Sequence, residues 1–208
     1  MRFQRRWGIV FLGVCALGLT SCVDSDNPLS DPQQAKPATD LAGVWRVKTD
    51  EGTTYYHVGL AGDKFPAGVM QMTMVEHKKD GTTQTFDSFY LFTTALGDRH
   101  FANIAALEPD QLAKVKEAGW KPDTFKGYWL YEYQVKDDKV HLMQMDWDQK
   151  KSLIEDKKIP GVIEKAKGRG GDDIRFTESS EKLAKFITSP EAAKLFHPAE
   201  KNDLDRVK

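Results

Sequence analysis

Cysteine is nearly missing from this chain of 208 residues: there are two, at positions 15 and 22. Everything from Val23 to Lys208 therefore folds without an internal disulfide and has to be held by its apolar core. A dominant charge is missing too, since 30 Lys and Arg face 31 Asp and Glu. Pairs such as Lys78-Lys79, Lys150-Lys151 and Lys157-Lys158 are embedded among acids, as on a solvated face. Without a basic tract there is no means of releasing counterions from a phosphate backbone, which argues against nucleic acid as a partner. The apolar run from Ile9 to Leu19 is too short to span a bilayer. Catalytic signatures are lacking as well. There is no Gly-x-Ser-x-Gly elbow. The histidines His57, His77, His100, His141 and His197 are scattered without metal-ligand spacing. Gly168-Arg169-Gly170-Gly171 has neither the following lysine nor the preceding apolar strand of a phosphate loop. No solenoid repeat is visible.

What is present begins with Arg2, Arg5 and Arg6, followed by the Ile9–Leu19 run: the basic and apolar regions of an export signal. The run closes on Leu19-Thr20-Ser21-Cys22, which resembles the lipobox of bacterial lipoproteins. The resemblance implies a thioether-linked diacylglyceryl group on Cys22, cleavage before it and acylation of the new amino group. Each buried methylene contributes roughly 0.8 kcal/mol, and several chains together make a lasting anchor. Val23 stands where enterobacterial lipoproteins retained in the inner membrane carry aspartate, so the resemblance implies the periplasmic face of the outer membrane. Loss of residues 1–21 removes three arginines and no acid, leaving a mild negative excess.

Residues 23–40 are mostly polar or small and carry Pro28, Pro32 and Pro37, a composition that predicts a disordered tether. From Leu41 to Lys208 the length suits a single domain with a sizeable interior. Period-two alternation predicts strands over 44–48, 55–60 and 68–78, with Met70, Met72 and Met74 on one face and Gln71, Thr73 and Val75 on the other. Lys79-Asp80-Gly81 predicts a turn into a strand over 82–95, and a short strand follows over 99–105. Pro109 as a first helical residue and Gly119 as a stop predict an inserted helix. A hairpin over 128–135 and 140–147 turns at Asp137-Asp138, setting Val135 against Val140, Tyr133 against Leu142, Tyr131 against Gln144 and Trp129 against Asp146. Asp148 is expected to cap a helical turn. Ile159–Glu164 and Ile174-Arg175-Phe176 read as short strands, the latter the last of the sheet. Helices around Leu183–Ile187 and Ser189-Pro190-Glu191 follow, then a polar tail beyond His197 expected to fray.

The fold class expected is mainly β with C-terminal helices: an antiparallel barrel or strongly curved sheet with one inserted short helix. Gly43-Val44-Trp45 opens the first strand and resembles the Gly-x-Trp of lipocalin-type barrels, although the chain lacks a Thr-Asp-Tyr loop. That resemblance implies that Trp45 plugs the closed end under an arginine from a late strand, for which Arg175 is the candidate. Burial of Trp45 for its area alone is the alternative. Met70, Met72, Met74, Met143 and Met145 could suit soft Cu(I), but alternation on strands favours an apolar lining, and no metal or cofactor is expected. Asp146 and Asp148 form an acidic pair without evident acid-base geometry. The function expected is a lipid-anchored, non-enzymatic module binding an apolar or amphipathic ligand or an envelope partner, with Trp129, Tyr131, Tyr133, Met70, Met72 and Met74 as candidate lining. A filled barrel acting purely as an interaction, inhibitor or assembly module is the alternative, and an envelope hydrolase the second.

Overall fold

A computed structural model describes residues 23–86, 89–107, 109–121, 125, 127–165 and 172–208. Cys22, Asp87 and the Gly168–Gly171 loop lie outside the described residues.

Among the described residues, eleven strands and three α-helices follow one another in chain order. They are β1 (Gly43–Lys48), β2 (Gly52–Leu60), β3 (Met70–Lys78), β4 (Thr83–Thr85), β5 (Phe89–Leu96), β6 (Arg99–Ala105), α1 (Pro109–Ala118), β7 (Tyr128–Lys136), β8 (Lys139–Met145), α2 (Trp147–Glu155), β9 (Gly161–Glu164), β10 (Asp173–Phe176), α3 (Ser180–Ile187) and β11 (Phe196–Arg206). Strands β1, β2, β3, β5, β6, β7, β8 and β11 pair antiparallel in that order, and β11 returns to β1. The result is a closed eight-stranded antiparallel barrel, consistent with a lipocalin-like barrel. Closure leaves no free sheet edge, so every barrel strand has two neighbours. β4 shares one edge of β3 with β5, while β9 and β10 form a separate two-stranded ribbon.

The β7–β8 hairpin turns where expected. Asp137 and Asp138 both have positive φ, 53° and 58°, the conformation of a type I′ turn that matches the strand twist. Three of the four anticipated pairs form: Val135–Val140, Tyr133–Leu142 and Tyr131–Gln144. The fourth, Trp129–Asp146, does not, because Asp146 leaves the sheet as the N-cap of α2, accepting from the Gln149 backbone N–H at 2.8 Å. Asp148, expected as the cap, lies instead in the first turn of α2. The anticipated strand over 82–95 is two strands. Phe86 at the break donates its backbone N–H to Met74 O and packs inside the barrel, while Tyr90 and Phe92 pack outside it.

Two cores result from strand alternation. The inner one unites Trp45, Tyr56, Met70, Met74, Leu91, Ala102, Tyr133, Val140 and Leu204. The outer one lies against the opposite face of β5, β6 and β7, where Tyr90, Phe92, Phe101, Tyr128 and Leu130 are covered by Val115 of α1, Phe176 of β10 and Leu183 and Ile187 of α3. Strands buried on both faces have no polar side to display, which accounts for the Phe89-Tyr90-Leu91-Phe92 run.

The expectation of a free tether over 23–40 is overturned. Leu29 is 2% exposed and Ser25 fully buried. The Ser25 backbone bridges Tyr128 on one side and Phe176 on the other. Leu29 N–H donates to Asn103 Oδ1 at 2.7 Å, and Asp24 binds Lys150 Nζ at 2.7 Å and the Leu130 backbone N–H at 2.9 Å. A Cβ on Gly127 would come within 2.7 Å of Ser25 O, and one on Gly68 within 2.2 Å of Ala35 O, so both glycines permit the close approach of this segment. Low hydrophobicity misled because the strap is held largely by hydrogen bonds to buried partners rather than by apolar area.

The tail after His197 does not fray: β11 is the staple that closes the barrel. Its pairing with β8 is interrupted by a register shift between Pro198 and Asp203, and its exposed side chains face solvent ion pairs such as His141–Asp203 at 2.8 Å. Among its described side chains Phe196 packs on the outer core and Leu204 in the inner one, and two apolar residues eight positions apart give no visible alternation. Ile174–Phe176 is accordingly not the last strand of the barrel; it pairs with β9 outside it.

Candidate functional site: the barrel interior

All six side chains anticipated as lining have the alternation parity that faces the lumen. On β3, Met70, Met72 and Met74 stand opposite Leu60, Val58 and Tyr56 of β2. On β7, Trp129, Tyr131 and Tyr133 stand opposite Ile104, Ala102 and His100 of β6. The parity of two brings them together across the barrel although the three methionines and the three aromatics lie 55 or more positions apart in the chain. Their burial differs with depth. Met70, Met74 and Tyr133 are buried, whereas Met72, Trp129 and Tyr131 are half-buried. Met143 and Met145 have the opposite parity, and Met145 belongs to the outer core. The five methionines therefore do not share a face, and the copper reading loses its cluster. Among the described residues no group of His, Cys, Asp and Glu is placed to hold a metal ion.

The end of the barrel at which β1 begins is filled. Trp45 is 1% exposed and its indole N–H donates to Leu41 O at 2.7 Å, while Ala38 and Leu41 of the preceding segment join the inner core. An arginine does lie over the indole, and it is Arg206, not Arg175. Its guanidinium carbon stands 4.1 Å from the ring centroid, and its nitrogens donate to Ala42 O at 3.0 Å and Asp40 O at 2.6 Å. Arg206 is the register partner of Trp45. Arg175 is committed elsewhere: it binds Asp26 at 2.8 Å and also Asp173, tying the N-terminal strap to the β9–β10 ribbon. The Trp–Arg closure implied by the lipocalin resemblance is present with its arginine on the strand that sequence reading took for a frayed tail.

Toward the other end the lumen is less tightly filled. Val58, Met72, Phe89, Ile104, Trp129, Tyr131, Leu142 and Gln144 all face inward and are half-buried. Two polar groups on this face have no counterpart in the sequence reading: Tyr56, the register partner of Trp45, and Glu76, two residues further than Met74 toward the end of β1 away from Gly43. Glu76 extends the Met70-Met72-Met74 alternation by one step and is 8% exposed, and Tyr56 is 3% exposed. Neither Glu76 Oε2 nor the Tyr56 hydroxyl has a hydrogen-bond partner among the described residues. Burial pushes the Tyr56 phenol well above its ordinary range, and the acidic groups of Tyr131 and Glu76, when ionised, push it the same way. Tyr56, Tyr131 and Glu76 thus form one electrostatic neighbourhood contributed by β2, β7 and β3. The signal was available: a Glu at an inward parity position after three methionines is a local inconsistency of the kind found at functional sites.

Asp146 caps α2, and its neighbour His197 Nε2 is 3.8 Å from Asp146 Oδ2. This arrangement organises a helix terminus at the surface. Asp148 is the second residue of α2, pointing to another side of the helix, and is exposed, so the two carboxylates do not converge. Comparison with protein-family models, with curated proteins and with solved structures returned no match. The class is therefore defined by the fold itself, a closed eight-stranded barrel compatible with a barrel-type binding domain.

Proposed function

We propose that this chain is a bacterial envelope lipoprotein, anchored through Cys22 in the outer membrane and facing the periplasm, whose barrel binds an apolar or amphipathic small molecule without catalysing its conversion. The observation that carries the binding reading is the graded lumen. One end is plugged by Trp45 under Arg206, and the other is lined by half-buried Met72, Ile104, Trp129 and Tyr131. Small barrels of eight strands have room for one small ligand when their side chains do not fill the interior. A filled barrel acting as an interaction module is the competing reading. Mass spectrometry of an organic extract of the protein purified from its host separates the two: a stoichiometric small molecule supports the binder, and its absence from a fully folded preparation supports the filled barrel.

Anchoring rests on Leu19-Thr20-Ser21-Cys22 and on the basic and apolar regions before it. Because the strap from Val23 onward is packed on the barrel, an acylated Cys22 would hold the domain close against the lipid surface. Cys22→Ala is expected to leave the protein in the aqueous phase of a detergent partition, or as an uncleaved precursor. Retention in the detergent phase with the signal removed would refute the anchor.

A further inference from the structure

Most lumen-facing groups of this barrel are apolar, which makes the exceptions informative. Glu76 Oε2 and the Tyr56 hydroxyl are buried and lack hydrogen-bond partners among the described residues. A buried carboxylate oxygen left without a donor is strongly destabilising relative to one that is paired, because it has lost water and gained nothing in exchange. Such a deficit persists in a fold when something outside the chain relieves it. Tyr56 pairs with Met74, and Glu76 with Thr54, so the phenol and the carboxylate are diagonal neighbours on adjacent strands and stand about 7–8 Å apart at their Cβ atoms. Tyr131 of β7 faces the same lumen, opposite Ala102 of β6.

The chemistry of this neighbourhood selects the ligand. A carboxylate oxygen only accepts, so the missing partner is a donor. The surrounding faces are aromatic, from Tyr56, Tyr131 and, nearer the less filled end, Trp129, and the negative face of a ring attracts a cation. Among the described lumen-facing side chains, two carry a fixed positive charge. Arg206 is held on Trp45 and on two backbone carbonyls at the plugged end, and Lys78 lies exposed at the outer end of β3. Neither is hydrogen-bonded to Glu76 Oε2. An anionic head group at this depth would instead meet Glu76 with like charge in a medium of low dielectric.

Resting on the reading of the barrel as a binder, we propose that its ligand is an amphiphilic amine, an ammonium head seated by Glu76, Tyr56 and Tyr131 with its hydrocarbon body against the inward-facing Met72, Ile104 and Trp129. The head group supplies the donor that Glu76 Oε2 lacks, and the tail occupies the half-buried side chains that no part of the described chain covers fully.

Isothermal titration of the full chain with octylammonium, octanoate and 1-octanol, which share one hydrocarbon body, tests this. Octylammonium is expected to bind at least tenfold more tightly than octanoate. Glu76→Gln is expected to remove at least tenfold of the octylammonium affinity while leaving 1-octanol within twofold, and Tyr56→Phe to remove about threefold. The wild-type ranking stands as a test by itself should Glu76→Gln fail to fold. Octanoate binding as tightly as octylammonium, or an octylammonium affinity indifferent to Glu76→Gln, overturns the amine proposal. If 1-octanol binds in those cases, the barrel remains a binder of apolar molecules. If none of the three binds, the binding reading falls as well.

Discussion

Removal of the Arg206 guanidinium is the sharpest available test of how the barrel closes. Arg206 is in the last three residues of the chain, yet it lies 4.1 Å from the Trp45 ring centroid and donates to two carbonyls of the segment that fills the barrel end. Stacking of a guanidinium on an indole contributes about 0.5–2 kcal/mol, depending on burial. The two hydrogen bonds from a charged donor would each add about 1.5–3 kcal/mol in a dry site. The Arg206 side chain is 27% exposed, so solvent competes for these groups and a total near 2 kcal/mol is the reasonable expectation. For a domain of this size that corresponds to a fall in Tm of about 4–8 °C for Arg206→Ala. Arg206→Lys is expected to recover less than half, because an ammonium cannot both lie flat on the ring and reach two divergent carbonyls. Urea unfolding of the full chain, followed by tryptophan fluorescence and far-UV circular dichroism, measures the difference. Lys48→Ala, at an exposed end of β1, is the control. If Arg206→Ala costs no more than Lys48→Ala, the closure described here contributes nothing and the reasoning fails.

Three further outcomes follow from the packing of the strap and from the buried phenols. Leu29→Ala, at a position 2% exposed, is expected to cost about 2–4 kcal/mol, and a chain lacking residues 23–31 is expected to lose its cooperative thermal transition; an unchanged Tm in calorimetry would mean the strap is dispensable. Lys150→Met strands Asp24 beside the buried strap and is expected to cost about 3 kcal/mol, whereas Lys150→Met combined with Asp24→Asn is expected to regain at least half of that in denaturant unfolding. Burial pushes the Tyr128 and Tyr133 phenols up to about 12. The fold therefore holds protons that the unfolded chain releases near pH 10, so their contribution to stability is fully present below about pH 10 and is lost as pH rises toward 12. Urea midpoints are expected to drop steeply across that interval in step with phenolate absorbance at 295 nm, and a flat profile there would show that these phenols ionise while folded.

Alternation and turn chemistry were sufficient to place most of the barrel strands and to predict a curved antiparallel sheet. The β7–β8 register followed from two aspartates at a tight turn, because a two-residue loop leaves the flanking pairs no freedom. Met70, Met72 and Met74 with Trp129, Tyr131 and Tyr133 were legible as lining because inward parity is a local property of each strand. What a neighbour thousands of conformations away in chain space contributes is not local. Arg175 and Arg206 are both arginines near late strands, and only the order in which strands meet decides which of them lies over Trp45. Residues 23–40 look like a linker by composition, since Val23 and Leu29 are their only large aliphatic residues among polar and small ones. They are part of the fold because Asn103, Lys150 and the backbone of Tyr128 and Phe176 happen to present the complementary groups. Glu76 is buried because its place on β3 turns it into the barrel interior beside β2. Local sequence thus determined the strands, turns and facing of each side chain, through sterics and hydrophobic periodicity. Only the tertiary structure decided which strand closes the barrel, which segment is strapped to it and which polar groups are left buried without partners, because each depends on groups far apart in the chain meeting in space.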